Sequence, residues 1–343
     1  MTSAQSPIAA TGKTHTIFVT APKLAQAGVD VLQAAGARII YLSSADDVQA
    51  VRHTMATEPV DAVISHTVAS DAEAIVSCPT LKVVSKHGVG VSNIDVAACT
   101  ERGIPVYVTP GANAQSVAEM TLGLLFAASR RIHWMDSELR AGRWSRAQDG
   151  LELQGRTLGL VGFGQVGQRV AAACLAIGMR VQAYDPALQG KPSPLPGVTL
   201  WSDLDDMLPH CDVISLHVPL NTHTRNLIDA ARLARLPKQA VLINTARGEV
   251  VDEDALIRAL QNGQLYAAGL DTMAVEPLPA DSPLAALPNV VLTPHVGGST
   301  PAALAAMASG AARNVLGWLN GQPVDASACV NAQVLKTASV VPA

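Results

Sequence analysis

Short, nearly unbroken apolar runs recur along the chain, each bounded by turn-forming or charged residues. The first series comprises residues 16–20 (TIFVT), 38–42 (RIIYL), 61–65 (DAVIS), 81–85 (LKVVS) and 104–108 (IPVYV). A run of about five apolar residues without polar alternation reads as a strand covered on both faces. Helical patterns lie between these runs, at 24–35 (closed by Gly36), around 46–57 and at 71–77. Strand alternating with helix predicts a parallel sheet with helices on both sides. A second series follows: 158–161, 180–184, 212–220, 240–244, 266–271 and 289–295. Between the two series, Val117, Met120, Thr121, Leu124, Leu125 and Ala128 repeat at helical spacing. They predict a long helix that begins at Asn113, with Ser116 and Glu119 at capping-box spacing. Residues 190–197 read as a proline-rich loop and 301–319 as a final helix. The tail beyond it carries no periodicity and is expected to be irregular. Repeats and low-complexity segments are absent.

Two strand series in 343 residues imply two domains. Pro110 and Gly111 mark the expected crossing. The expected class is α/β, with two doubly wound parallel sheets. Half of the residues (49%) are hydrophobic and only 15% charged, which suits two buried sheets. A net charge of −4 gives no electrostatic case for nucleic acid or an anionic membrane as partner. The 5 cysteines form no C-x-x-C pair, so reduced thiols in a cytoplasmic protein are expected, and no metal. Residues 1–14 lack the basic-then-apolar pattern of a signal peptide, and no apolar run approaches the ~18 residues of a membrane span.

The richest chemistry lies at residues 157–167, TLGLVGFGQVG. A short strand ends at Gly162, and Gly162, Gly164 and Gly167 then stand in the order G-x-G-x-x-G. A helix-forming run begins at Gln168. In a dinucleotide-binding βαβ unit the first glycine permits the tight turn and the second lets the backbone reach a pyrophosphate. The third lets helix and strand pack closely, and the anion rests on the helix N-terminus. The next strand ends at Asp185, 18 residues past Gly167, near the spacing of an acid that binds the adenosine ribose. An ordinary reading remains beside this one, in which Asp185 caps a turn before Pro186.

Three polar residues follow three successive strands: Arg247 after 240–244, Glu276 after 266–271 and His295 after 289–293. In a doubly wound sheet all these ends share the edge that carries the glycine turn. Arg can hold a carboxylate in a fork and polarise the adjacent carbonyl. His can give a proton to the oxygen as hydride reaches carbon, and Glu on the other ring nitrogen favours the imidazolium. Singly, each has a plain reading as a surface guanidinium, a solvated carboxylate and a loop histidine. Together they fit hydride transfer to a 2-oxo acid. In the first series, residues 86–95 (KHGVGVSNID) place Gly88 and Gly90 just past a strand, where N–H groups can face a small anion. The alternative is a tight βα turn with Asp95 as helix cap.

Several stretches together resemble the D-isomer-specific 2-hydroxyacid dehydrogenases, over nearly the whole chain to Asn331. They are KHGVGVSNID (86–95), NAQSVAE (113–119), GFGQVG (162–167), NTARG (244–248) with VVDE (250–253), the region of Asp271 and Glu276-Pro277, and TPHVGG (293–298). The resemblance implies a flavodoxin-like substrate-binding domain in two pieces, 1–109 and 300–343. It also implies a Rossmann NAD-binding domain, 110–299, inserted into that domain, with the substrate in the cleft. It implies Arg247, Glu276 and His295 as the catalytic set. It implies Lys86, His87, Gly88, Val89 and Gly90 as the substrate loop, with Val89 and Gly90 as backbone anchors for the carboxylate. The implied cofactor set is Gly162, Phe163, Gly164, Gln165, Val166, Asp185, His217, Val218, Pro219, Thr224, Thr245, Ala246, Arg247, Asp271, His295 and Gly297, with Asp271 meeting the nicotinamide amide. A homodimer joined through the nucleotide domains is implied too, with Trp134 and Trp144 as candidate contacts.

The chain departs from the family pattern at Ser92, where Asp is common, and at Lys86-His87, where a basic residue is usually followed by a small one. His66 stands where phosphoglycerate dehydrogenases often carry an Arg for the substrate phosphate. No regulatory domain is expected after Asn331, and both points weigh against a phosphorylated substrate. Glu276 disfavours a formate dehydrogenase, which has an amide there. The expectation is an NAD-dependent dehydrogenase of a small 2-hydroxy acid, of the hydroxypyruvate, glyoxylate or 3-phosphoglycerate type. The alternatives are a non-catalytic NADH-sensing corepressor-like protein, which keeps the same triad, and an NADP-linked reductase, which Asp185 opposes.

Overall fold

A computed structural model of the chain describes residues 14–44, 47–146 and 150–338. The expectations for the N-terminal segment, the start of the 46–57 helix and the end of the tail fall partly outside these residues. The chain divides into two compact units. Unit 1 takes in residues up to Asn113 and from Thr300 onward, and unit 2 runs from Ala114 to Ser299. The division thus falls after Asn113, where the sequence placed it after Thr109.

Unit 1 is built on five parallel strands: β1 (Thr16–Val19), β2 (Arg38–Tyr41), β3 (Ala62–Ser65), β4 (Val83–Lys86) and β5 (Val106–Tyr107). Their order is β2-β1-β3-β4-β5, the flavodoxin-like arrangement. The central strands β1 and β3 are buried at every position, as their unbroken apolar runs require. One face carries Phe18, Val63, Val84 and Ile75. The other carries Ile17, Ile64 and Val83 under the helix Pro301–Leu319, which brings the C-terminal part of the chain back onto this sheet. That helix lies so close to the helix Gln26–Ala34 that a Cβ on Gly28 would stand 2.8 Å from Ala308 Cβ.

The tail is more ordered than its sequence suggests. Cys329 bridges Tyr107 in antiparallel fashion, and a helix covers Gln333–Ala338. Asn331, 1% exposed, accepts from Val106 N and donates to Ile104 O and Thr100 Oγ1. A single buried amide thus completes the edge at β5. No period in sequence marks such an anchor.

Unit 2 holds seven parallel strands: β6 (Thr157–Val161), β7 (Arg180–Tyr184), β8 (Val198–Trp201), β9 (Val213–Leu216), β10 (Ala240–Asn244), β11 (Leu265–Leu270) and β12 (Val290–Leu292). Their order is β12-β11-β10-β9-β6-β7-β8. The sequence reading lacked β8, a short edge strand directly after the proline-rich loop. It also lacked the helix Ile132–Arg140, which buries none of its residues. The long helix Ala114–Ser129 begins one residue after the expected Asn113, so Ser116 lies past the cap position expected of it. Ser116 is buried inside its first turn, and Glu119 accepts from Gln115 Nε2 instead. The helix sits so close to the sheet that a Cβ on Gly269 would be 2.9 Å from Leu124 Cβ.

Candidate active site

The three glycines of the turn have three different surroundings. Gly162 has φ +95°, and a Cβ there would lie 2.7 Å from His217 O, so only glycine turns the chain beside β9. A Cβ on Gly164 would meet nothing within 4 Å, so the space beyond this residue is open. A Cβ on Gly167 would stand 2.5 Å from Gly162 O, which makes the third glycine the one that seats the helix on the turn. That helix begins at Gln165, three residues earlier than the apolar run suggested, with Gly164 as its N-cap residue. First-turn N–H groups have no partner within their own helix and suit an anion. The residues present therefore fit a dinucleotide.

Asp185 follows β7 and joins both readings of its sequence position. Oδ1 accepts from Ala187 N at 2.9 Å, the turn cap before Pro186. Oδ2 accepts from Phe163 N at 2.8 Å, inside the glycine turn itself. Nearby, burial pushes the His217 imidazole down to about 4, and its Nε2 pairs with Ser215 Oγ at 2.9 Å. Thr224 Oγ1 donates to Pro219 O and accepts from Asn221 N, closing the loop after β9. Thr245 Oγ1 pairs with Thr121 Oγ1 at 2.9 Å.

Arg247 lies on the turn after β10. Asn244, the last residue of that strand, pins this turn from both sides: Oδ1 accepts from Ala246 N and Nδ2 donates to Arg247 O. The Arg247 side chain donates to Ala246 O. Burial lowers its guanidinium from the ordinary value, and the charges of Glu276 and Glu249 oppose that shift. Gly248 is what lets this turn meet the segment after β11, because a Cβ there would overlap Met273 C at 1.9 Å. On that segment Met273 N donates to Glu276 Oε1 and Ala274 N donates to Glu253 Oε2. Asn244, Gly248 and Glu253 were singled out by no sequence argument, although all three stand within the quoted motifs.

His295 Nδ1 and Glu276 Oε2 are 2.8 Å apart, with both side chains more than a third exposed. Burial works against the Glu276 carboxylate. The hydrogen bonds from His295 and Met273 N, with the charges of His295 and Arg247, outweigh it and hold the group below the usual carboxylate range. The structure thus brings Glu276 and His295 into direct contact and sets Arg247 where it feels the Glu276 charge. Asp271, directly after β11, is 2% exposed.

The substrate loop expected from sequence belongs to unit 1. Lys86 ends β4, nearly buried, and its ammonium donates to His66 O and to Asn93 Oδ1. Asn93 in turn donates to Ser65 Oγ, His66 O and Val68 O. Lys86 thereby braces the ends of β3 and β4. His66 and His87 stack with ring centroids 4.2 Å apart. Burial, then the charges of His87 and Lys86, push His66 down to about 3. Burial likewise pushes His87 down to about 4, against a backbone hydrogen bond at Leu304. Gly88 has φ +127° and exchanges hydrogen bonds with Thr109, while Val89 is 48% exposed beside it. Asp95 does cap the following helix, through Ala98 N. Among the described residues no cluster of metal-binding side chains occurs, and no helix is long and apolar enough to cross a membrane.

A parallel sheet with this glycine turn and a carboxylate–histidine pair on its carboxyl edge defines a dinucleotide-binding domain equipped for acid–base chemistry. The family model described as "D-isomer specific 2-hydroxyacid dehydrogenase, NAD binding domain" matches residues 122–297. The hydroxypyruvate reductase of Thermotoga maritima is 45% identical over 233 residues, 67% of this chain and 74% of that protein. The D-3-phosphoglycerate dehydrogenase of Methanocaldococcus jannaschii is 43% identical over 243 residues. These are 71% of this chain but 46% of that protein, so the chain matches under half of its length. Among solved structures, the NADPH-dependent glyoxylate/hydroxypyruvate reductase of Sinorhizobium meliloti, in complex with NADP and malonate, superposes with a TM-score of 0.81. It is 28% identical, and the match covers 92% of this chain and 98% of that one. The chain belongs to the D-isomer specific 2-hydroxyacid dehydrogenase family.

Proposed function

We propose that the protein is an NAD-dependent D-2-hydroxyacid dehydrogenase acting reversibly on a small 2-oxo or 2-hydroxy acid. The observation that carries this reading is the 2.8 Å contact between His295 Nδ1 and Glu276 Oε2, on the strand edge that also holds Arg247. The nicotinamide cofactor, when bound, exchanges the hydride. Gly162, Phe163, Gly164, Gln165 and Val166 would hold its pyrophosphate and Asp185 its adenosine ribose. The turns at His217, Val218, Pro219 and Thr224, and at Thr245, Ala246 and Gly297, would line its remainder. Arg247 grips the substrate carboxylate and polarises the neighbouring carbonyl. With Nδ1 engaged by Glu276, His295 acts through Nε2: it gives a proton to the oxygen in reduction and takes the hydroxyl proton in oxidation. In unit 1, the turn at Gly88, with the exposed Val89 beside it, is the candidate for holding a small anion.

The brace made by Lys86 and the uncharged His66–His87 pair support a substrate without a phosphate, so hydroxypyruvate and glyoxylate rank above the 3-phosphoglycerate type. Asp185 supports NAD over NADP, because a carboxylate repels a 2′-phosphate. One charged hydrogen bond is worth roughly 1.5–3 kcal/mol, so the preference should exceed about tenfold in kcat/KM. Five unbonded, buried cysteines support a reducing, cytoplasmic setting. A homodimer formed through unit 2 completes the proposal. The test is oxidation of NADH and NADPH against glyoxylate, hydroxypyruvate and 3-phosphohydroxypyruvate. Turnover of either unphosphorylated acid with NADH is expected. Failure of every 2-oxo acid with both cofactors would overturn the reading.

A further inference from the structure

We propose that Glu253 is a positioning residue for Glu276: its carboxylate holds the Met273–Ala274 peptide, and the Met273 N–H then keeps the Glu276 carboxylate on the His295 ring. The proposal rests on the reading of Glu276 and His295 as the acid–base pair. The chain after β11 is buried from Asp271 to Met273 and exposed from Val275 to Pro277. Ala274 is the residue at which it leaves the interior, and its N–H donates to Glu253 Oε2 at 2.8 Å. Gly248 packs against the same peptide, since a Cβ there would lie 1.9 Å from Met273 C and 2.3 Å from Ala274 N. The peptide is therefore held by a carboxylate and by a main-chain wall. One residue back, Met273 N donates to Glu276 Oε1 at 3.0 Å, while Oε2 meets His295 Nδ1 at 2.8 Å.

The helix Glu253–Gln261 does not need the Glu253 carboxylate for itself. Asp252 caps it by accepting from Ala255 N, and the exposed Asp254 also gives the first turn a negative charge. Glu253, half-buried, serves another segment instead. The Glu276 side chain is 36% exposed, so burial does not hold it in place. The Met273 N–H does, and its direction follows the peptide next to it. Without Glu253, the Ala274 N–H would turn toward water or a new acceptor, and Met273 N would turn with it. Glu276 would then slacken its hold on the ring, and the imidazolium would lose part of the charge that favours it. The other charges around the pair come from two segments. Arg247, on the turn after β10, acts on Glu276, and Glu249 acts on Arg247. Asp271 accepts from Val296 N and Gly297 N, directly after His295. All of these stay when Glu253 is replaced.

The test compares Glu253→Met, Glu253→Asp and Glu253→Gln in the full chain. Met keeps the length without a comparable acceptor. Asp keeps the charge but is one methylene too short, and Gln keeps the acceptor without the charge. The titration of the His295 ring is followed by NMR, its signal identified as the one missing in His295→Ala. Salt at about 0.15 M screens charges that are not in contact. The midpoint should fall by about half a pH unit or more in Glu253→Met and Glu253→Asp, and by less than half as much in Glu253→Gln. With NADH saturating, kcat/KM for reduction of the preferred 2-oxo acid should then fall about threefold on the basic limb and stay within about twofold on the acid side. Damage of a merely structural kind would lower both sides alike. A midpoint that stays parental in Glu253→Met and Glu253→Asp, or one that moves in Glu253→Gln and not in Glu253→Asp, would overturn the proposal. Should Glu253→Met fail to fold, the Asp and Gln variants decide by the same signal. A midpoint that moves in Glu276→Gln but not in Glu253→Met sinks this proposal and spares the acid–base pair. If the parent reduces no 2-oxo acid, the dehydrogenase reading falls, and the ring titration still decides whether Glu253 positions Glu276.

Discussion

Glu276 owes its charge to two contacts that outweigh its burial, the His295 ring and the Met273 N–H. Its pKa is lowered, so the carboxylate stays ionised across the whole neutral range and gains a proton only below the usual carboxylate values. Its contribution to stability has the same sign: present above the unfolded value, lost as pH falls through the lowered one. In Glu276→Gln the ring keeps a hydrogen-bond partner but loses the negative charge 2.8 Å from Nδ1. Reduction consumes the ring proton, so the basic limb of kcat/KM for oxo-acid reduction should move to lower pH. Oxidation needs the neutral ring and should lose less. Profiles of parent and variant at saturating NADH decide this, and a basic limb that does not move removes Glu276 from the acid–base pair. Gly248 makes a second, purely steric case. Its missing Cβ would sit 1.9 Å from Met273 C and 2.3 Å from Ala274 N, both main-chain atoms that cannot swing aside. Gly248→Ala must therefore separate the Arg247 turn from the Glu276 segment. It should lower kcat/KM by about 10²-fold or more. Near-parental kcat/KM in Gly248→Ala would show that the two segments need not touch.

At the scale of elements, legibility followed the apolar run more than burial: β2, with no residue buried, was still read from its sequence. Of the strands that carry the site, β6 and β9 to β11 are apolar runs covered on both faces, and such runs survive reading without any partner in view, whereas β12, which leads to His295, has only its first residue buried. The glycine spacing placed the turn between β6 and its helix, and strand ends placed Arg247, Glu276 and His295. What stayed hidden has a physical character too. The edge strand β8 has only its first residue buried. The helix Ile132–Arg140 buries nothing, and the tail at Asn331 is ordered by one amide. The supports of the site (Asn244, Gly248, Glu253) act through main-chain geometry that leaves no hydrophobic period. Close helix packing is equally silent in sequence. Gly28 lies inside a helix, where alanine would ordinarily stabilise by about 1 kcal/mol. Here its Cβ would press on Ala308 at 2.8 Å and on the Ala308 main chain at 2.9 Å, and overpacking of that kind costs about 1–3 kcal/mol. The clash should win, so Gly28→Ala should lower the urea midpoint with the slope unchanged. A higher midpoint would mean the two helices separate at little cost.

At the scale of the whole molecule, the proposed dimer rests on surface that unit 2 leaves uncovered. The helix Ile132–Arg140 has no buried residue, yet Ile132 and Leu139 are 53% and 55% exposed and seven positions apart, on one face. Trp144, just beyond it, is 75% exposed, and Phe126 on the preceding helix is 39% exposed. Trp134 differs, since the Arg131 guanidinium covers its ring at 4.4 Å. A helix held to its own unit by so little has a weak reason to persist unless another surface covers it, and large exposed apolar side chains mark such surfaces. A second copy fits because a two-fold contact places the same apolar face against itself. Interfaces of this kind bury about 800 Å² or more per partner, and two charges set into the apolar centre would remain unpaired there. Ile132→Glu with Leu139→Glu should therefore halve the mass measured by light scattering at micromolar concentration. Kd for NADH should not change, because neither residue approaches the glycine turn in sequence or in the sheet. A parent that is already monomeric, or a double variant that keeps the parental mass, would place the contact elsewhere and leave this helix face without a partner copy.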